Sequence, residues 1–386
     1  MVNFVRHLCN VIRYLQLPGT DRRLTFYSEG RNYWAYLEPL ITAFLDMSDM
    51  PLCYISSDKG DPGVHFTHPN YRKFVIDEGH VRDWLFRNIE TEVLVMTMPD
   101  LHQYQVKRSR HAVHYVYVQH SLVSLHMVYR KGAFDHYDTI FCAGPHHVDE
   151  MRALETEFNL RPRRLVEHGY GRLDTLLEQA GRHQTKQAPA GSGRHILIAP
   201  SWGPEGMIES GVGETIIGQL LQEQYRVTLR PHPQTLRFAR HRINGILAQH
   251  EGSPLFSHEA DVAGLHSLYE SDAMISDWSG VALEYIVALK KPVLFVDVPR
   301  KVNNPEYHRI AIEPLECRIR RTGLSDILEL HEINRVTEKL EGLLKRSPVT
   351  GSAPDHMVFN PGESGVCGAG RLLQILSEVE SSGRPG

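Results

Sequence analysis

No apolar run in the 386 residues approaches the roughly 18–20 residues a bilayer-spanning helix needs, so no transmembrane segment is expected. Cysteine is scarce: Cys9, Cys53, Cys142, Cys317 and Cys367 are odd in number, and no two have redox or metal-ligand spacing. That excludes a disulfide framework and points to a reducing compartment. The first residues lack a signal peptide's unbroken apolar core, being interrupted by Arg6, His7, Asn10 and Arg13. Excess charge is missing too: a net charge of -4 gives no bulk reason to expect a nucleic-acid partner. There is no P-loop, no G-x-S-x-G and no Asp-x-Asp pair, which argues against a kinase, an NTPase or an α/β-hydrolase. His65/His68 and His111/His114 have metal-like spacing but neither a helical frame nor a third ligand, so no metal and no cofactor is expected.

What is present is ordinary globular composition, 41% hydrophobic and 23% charged, in a chain long enough for two domains. The 23 histidines weaken any inference from a single one. Short β-branched or aromatic runs recur: Leu24–Tyr27, Leu52–Ile55, Val93–Met98, His114–Val118, Thr139–Cys142 and Leu165–Val166. Each ends in small or polar residues, and helical stretches such as Trp34–Leu45 and His146–Phe158 separate most of them. That alternation predicts a parallel, doubly wound α/β sheet. Residues 181–194 are aperiodic and rich in Gly, Ala, Gln and Ser, and read as a linker. The pattern then restarts at His195–Ala199, Tyr225–Leu229, Ala273–Ile275 and Pro292–Val298.

The expected organisation is therefore an α/β domain over 1–180 on the acceptor side, a linker over 181–194, and a nucleotide-donor α/β domain over 195–345. A tail over 346–386 carries a helix, Gly365–Glu380, that can pack back on the first domain. At the other end, Phe4, Val5, Leu8, Val11, Ile12 and Leu15 share one helical face. That helix either docks on the protein's own core or rests on an anionic membrane surface; docking is the favoured reading.

The most informative stretch is Ala273–Val298, which reads as strand, tight turn, helix, strand. Its turn, Ser276-Asp277-Trp278-Ser279-Gly280, puts hydroxyls, a carboxylate and a glycine at a helix N-terminus. Free N–H groups and the helix dipole favour phosphate there, while simple capping by Asp277 or Ser279 is the competing reading. Ligands in open α/β sheets bind beyond the carboxyl ends of strands, which directs attention to Ser201-Trp202, Arg230 with His232, and His120. Arg230-Pro231-His232-Pro233 is stiffened by two prolines. Its guanidinium can fork onto phosphate oxygens, and a protonated imidazole would add a second positive donor. His120, after the strand H-Y-V-Y-V, suits a general base. Glu284, one turn into the helix, either takes ribose hydroxyls or faces solvent. Two α/β domains facing each other with such an edge suggest the GT-B architecture.

Several motifs in order resemble one family, the CDP-glycerol glycerophosphotransferases that polymerise teichoic acids and related capsule chains. They are Gln119-His120-Ser121, Gly169-Tyr170-Gly171-Arg172-Leu173-Asp174, Ala199-Pro200-Ser201-Trp202, Arg230-Pro231-His232-Pro233, and Ser276 to Gly280 followed by Glu284. The resemblance spans roughly residues 112–300, with a weaker one near 359–376. It implies a GT-B fold, a CDP-polyol donor (CDP-glycerol), and transfer of a phosphopolyol to a polyol-phosphate or polysaccharide hydroxyl with release of CMP. It also implies a base at His120 and donor contacts at Arg230, His232 and Ser279, with Ser201, Ser276, Asp277, Gly280 and Glu284 around them and Arg172 and Asp174 as further candidates. This chain has Ser121 where the family has glycine, and Gly280 where it has a second serine.

A sugar-nucleotide glycosyltransferase or epimerase on the same fold is the first alternative. A non-catalytic nucleotide- or polysaccharide-binding module is the second. The expected location is the cytoplasm, where CDP donors are made. Peripheral contact with the inner membrane face would run through residues 2–23 and Arg161, Arg163 and Arg164.

Overall fold

The computed structural model describes residues 2–76, 79–183, 193–261, 264–346 and 356–382. Two parallel sheets carry the chain. The first contains β1 (Leu24–Ser28), β2 (Leu52–Ser56), β3 (Tyr71–Val75), β4 (Val93–Met96), β5 (His114–Val118), β6 (Thr139–Cys142) and β7 (Arg164–Glu167) in the order β3-β2-β1-β4-β5-β6-β7. The second contains β8 (His195–Ile198), β9 (Arg226–Leu229), β10 (Phe256–His258), β11 (Ala273–Ser276), β12 (Val293–Val296) and β13 (Ser325–Leu328) in the order β10-β9-β8-β11-β12-β13. Strands such as β1, β4, β11 and β12 are buried throughout because helices cover both sheet faces, and their apolar character follows from that. This is the GT-B-like pairing of two doubly wound domains. The order reverses between β1 and β4 and again between β8 and β11, which opens a crevice at the carboxyl ends of those strands.

Three strands carry no strong sequence signal: β3 (YRKFV), β10 (FSH) and β13 (SDIL). All three are sheet edges, where one side is open and polar residues are tolerated. The proposed linker falls mostly on residues 184–192, which lie outside the described residues.

The N-terminal helix Val2–Leu15 docks through buried Val11 and Tyr14. The Tyr14 hydroxyl lies 3.0 Å from the Thr25 hydroxyl, and Asn10 donates to the Val75 carbonyl at 2.9 Å. Val5, Leu8 and Ile12 remain exposed on its other side, and the Phe4 side chain lies outside the described residues. The C-terminal helix Ser364–Ser381 buries Leu372, Ile375, Leu376 and Val379 against the helix Trp34–Met47 of the first domain. Gly365 allows this approach, since a Cβ there would fall 2.4 Å from the Pro39 carbonyl oxygen.

Candidate active site

The two sheets meet at their carboxyl ends. Ser121, just beyond β5, faces Gly280, the first residue of the helix Gly280–Leu289. A Cβ on Gly280 would lie 2.7 Å from Ser121 Oγ, so any other residue there would have to displace that hydroxyl. Two of the positions at which this chain departs from the family pattern thus touch each other. The hydroxyl missing from position 280 is present at 121, on the opposite domain.

A buried ion pair joins the same surfaces. Arg172 Nε donates to Glu284 Oε2 at 2.9 Å, and the Tyr170 hydroxyl donates to Glu284 Oε1 at 2.7 Å. Glu284 is 4% exposed, and both of its oxygens are taken across the domain interface. In this structure Glu284 is a strut between the domains. A carboxylate this deep stays charged only because a guanidinium and a hydroxyl meet it.

His120 is set against this junction, its carbonyl accepting from the Tyr170 hydroxyl at 3.3 Å. Its ring sits among Tyr33, Tyr36, Tyr117 and Tyr129, with centroids 5.6, 6.2, 6.2 and 6.0 Å away, all edge-on. Nδ1 is 2.9 Å from the Tyr117 hydroxyl. Burial pulls its pKa down to about 4, opposed slightly by the Thr97 backbone. The imidazole is consequently neutral at physiological pH, the form a base requires. No sequence motif marked this aromatic cage. Tyr33 and Tyr36 come from a region that matched nothing in the family pattern, 84 or more residues before the histidine in the chain (Tyr36 to His120).

On the second domain, Asp277 is 1% exposed and braces the site without capping the helix. Its carboxylate accepts from the backbone N–H of Ser201 at 2.6 Å and of Met207 at 3.2 Å. The Ser279 side chain makes no capping bond either, so the helix's free N–H groups face the cleft beside a half-buried hydroxyl. The Ser276 hydroxyl is buried and donates to the Ala199 carbonyl at 2.6 Å, which ties β11 to the turn carrying Ser201. Ser276, Asp277 and Ser201 thus shape the turn, and Ser279 and Gly280 present it.

His232 differs from expectation in charge. Its Nδ1 accepts from the Gln234 N–H at 3.1 Å, so the neutral ring carries its proton on Nε2. Burial, reinforced by the nearby Lys301 charge, lowers its pKa to about 3. It is a neutral donor and not the expected imidazolium. Its ring lies 6.1 Å from that of Trp202, and Trp202 lies 6.2 Å from Phe238, an aromatic shelf open to solvent at Phe238.

Arg230 is also spent. It is 4% exposed, and its Nη1 donates to Glu259 at 3.2 Å, to the Gly264 carbonyl at 2.8 Å and to the Ser267 hydroxyl at 3.2 Å. Through Nη1 it anchors β9 to the following loop, and its charge is felt by Arg172 and Glu284 at the domain junction. Asp174 lies outside the site. Its carboxylate accepts from the N–H groups of Gly362 and Ser364 at 2.8 Å each and from the Ser364 hydroxyl at 2.6 Å, holding the start of the C-terminal helix. The family-like position at Asp174 is explained by that structural duty. Among the described residues, no group of three or more His, Cys, Asp or Glu side chains could hold a metal ion.

Two parallel-sheet α/β domains meeting at their carboxyl ends, with a half-buried histidine one residue from the contact with a helix N-terminus, make this a GT-B-like protein. The chain belongs to the CDP-glycerol:poly(glycerophosphate) glycerophosphotransferase family, whose model matches residues 89–301, more than half of its length. It is an enzyme of this glycerophosphotransferase type. Among solved structures, the wall teichoic acid polymerase TagF is similar at a TM-score of 0.62 and 13% identity, covering 98% of this chain and 97% of that one. The UDP-GlcNAc 2-epimerase of Methanocaldococcus jannaschii, solved with UDP-GlcNAc and UDP, is similar at 0.59 and 14%, covering 92% and 99%. That of Rickettsia bellii is similar at 0.60 and 12%, covering 94% and 98%. At such identities these likenesses concern the fold. No curated protein matches by sequence.

Proposed function

We propose that the enzyme moves a glycerol-phosphate-like group from a CDP-linked polyol, CDP-glycerol in the first instance, to a hydroxyl of a polyol-phosphate or polysaccharide acceptor. The observation that carries this is His120, held neutral in its tyrosine cage one residue from the contact with the Gly280 helix end. In this scheme the acceptor oxygen attacks the phosphorus bearing the polyol. Its proton passes to His120. The bond from that phosphorus to the bridging oxygen breaks, and CMP leaves. Ser279, the N–H groups at Gly280 and Val281, and His232 through Nε2–H stabilise the diphosphate as charge shifts to the leaving group. Trp202 and Phe238 offer a face on which a planar base can stack.

The test is incubation with a panel of CDP-polyols and sugar nucleotides, scoring CMP against nucleoside-diphosphate release. CMP release with one phosphate added per unit supports the proposal. Nucleoside-diphosphate release identifies a glycosyltransferase or epimerase instead. His120→Ala should lower kcat on the order of 10²–10³-fold without unfolding the protein. Near wild-type turnover would remove His120 from the mechanism.

The site works in the cytoplasm on this reading, with the N-terminal helix resting on the inner membrane face. No helix among the described residues is long and apolar enough to cross a membrane. The basic run suggested for that contact is largely spent: Arg163 pairs with Asp135 at 3.1 Å and Arg164 with Glu378 at 2.6 Å. Exposed Val5, Leu8 and Ile12, next to exposed Arg6 and Arg13, support the helix as the contact.

A further inference from the structure

The donor edge of the second domain, as its motifs define it, is short of positive charge. Arg230 is committed to Glu259, Gly264 and Ser267. His232 is neutral. The other charged side chains of the motifs on this domain are the carboxylates Asp277 and Glu284, which oppose an incoming anion. A further cation at this edge would help offset a diphosphate.

Lys301 fills that gap. It lies in the loop beyond β12, at the carboxyl edge of the same sheet. Its Nζ sits over the Trp202 ring, 4.7 Å from the centroid, and Trp202 in turn flanks His232. The side chain is half-buried, and among the described residues its ammonium donates no hydrogen bond and forms no ion pair. An ammonium with three donors, removed from much of its water and given only a ring face, has most of its bonding capacity unused. The charged and titratable groups facing it are Asp277 from the turn after β11, Glu209 from the loop after β8, and His232 after β9. The two carboxylates are occupied elsewhere: Asp277 accepts from Ser201 and Met207, and Glu209 accepts from the Thr235 hydroxyl at 2.7 Å.

We propose that Lys301 is the cation that binds the diphosphate of the nucleotide donor, with Trp202 holding its ammonium at the cleft wall. This rests on the reading that the second domain's sheet edge is the donor site. Burial lowers the Lys301 pKa to about 8, with Asp277 and Glu209 acting in the opposite direction. The charge that attracts the diphosphate is therefore present below about pH 8 and fades above it, and donor affinity fades with it.

The test is calorimetric titration of the full-length protein with CDP and with cytidine, from pH 6.5 to 9. Wild type is compared with Lys301→Met and Lys301→Arg. At pH 7, Lys301→Met should weaken CDP binding on the order of 10–100-fold, the size of one charge-assisted contact, and leave cytidine binding unchanged. Lys301→Arg should restore most of the affinity, and its binding should stay level through pH 8–9 where the wild type falls, because a guanidinium keeps its charge. If the Met variant does not fold, the wild-type and Arg pH series still decide the matter. CDP binding in Lys301→Met equal to wild type, or a wild-type affinity flat through pH 8–9, overturns the role of Lys301 and leaves the donor site standing. A wild type that binds neither CDP nor cytidine overturns the donor site itself, and the inference with it.

Discussion

Ser121 and Gly280 show how two departures from a family pattern can be one change. Each alone looks like a loss, of a small residue in one place and of a hydroxyl in another. Facing each other, with 2.7 Å between Ser121 Oγ and the position of a Cβ on Gly280, they keep one hydroxyl and one glycine in the pair with their places exchanged. Gly280→Ser alone should push the Ser121 hydroxyl off its rotamer, a cost of roughly 0.5–1.5 kcal/mol, and lower kcat/KM about 2–10-fold. Ser121→Gly in the same chain should recover most of that loss. A double variant no better than Gly280→Ser would show that the two positions are uncoupled. At the same scale, His120 has an unusual consequence for pH. With its pKa near 4, the proposed base is already deprotonated at pH 5.5. The acid limb of kcat/KM assigned to it should therefore fall near pH 4, well below the pH 6.5 of an exposed imidazole, and His120→Ala should abolish that limb.

Elements explain which parts of the fold were legible beforehand. Central strands such as Val93–Met96 and Ala273–Ser276 announce themselves because burial on both faces demands unbroken apolar sequence. Edge strands β3, β10 and β13 do not, because burial there is partial and Arg72, Lys73, Ser257 and Asp326 are tolerated. The N-terminal helix is legible as amphipathic, yet its outcome is mixed. Val11 and Tyr14 dock while Val5, Leu8 and Ile12 stay 53%, 41% and 44% exposed. Trp84, 51% exposed on the contacting helix His80–Asn88, adds an aromatic anchor of the sort found at bilayer interfaces. Flotation with anionic liposomes should therefore carry the protein upward in a salt-sensitive manner. Ile12→Glu with Leu8→Glu should leave it at the bottom without lowering the melting temperature by more than a few degrees. Equal recovery with neutral liposomes, or no recovery, would exclude an electrostatically assisted membrane contact.

Across the whole molecule, the two domains are joined by polar struts. Besides the Glu284 network, Glu316 accepts from the Ser124 N–H at 3.0 Å and from its hydroxyl at 3.0 Å, and Asn304 donates to the His126 carbonyl at 2.9 Å. Glu316 is buried, and burial together with the nearby Glu150 carboxylate pushes its pKa up to about 7. A carboxyl raised in the folded state contributes stability that is complete below its ordinary value and is lost as pH rises to about 7. The loss between pH 4.5 and 7.5 is on the order of 2–3 kcal/mol for such a shift. Thermal unfolding should accordingly show a melting temperature that declines over that range more steeply in wild type than in Glu316→Gln. Parallel curves would show that Glu316 carries no such load.

The sequence by itself determined the alternation of strand and helix, the two sheets, the ordered motifs and hence the family, because these depend on local periodicity and on short contiguous segments. It also marked the Ser276–Gly280 turn as a place for phosphate. Only the tertiary structure decided which partners the marked residues hold. It bonded Asp174 to the C-terminal helix, Arg230 to Glu259 and Glu284 to Arg172, and it brought Lys301, which no motif marked, over the Trp202 ring. The physical reason is that a charged side chain leaving water must find a partner, and the available partners lie tens to hundreds of residues away in the chain. Their identity is set by how the two sheets face each other, which no local pattern encodes.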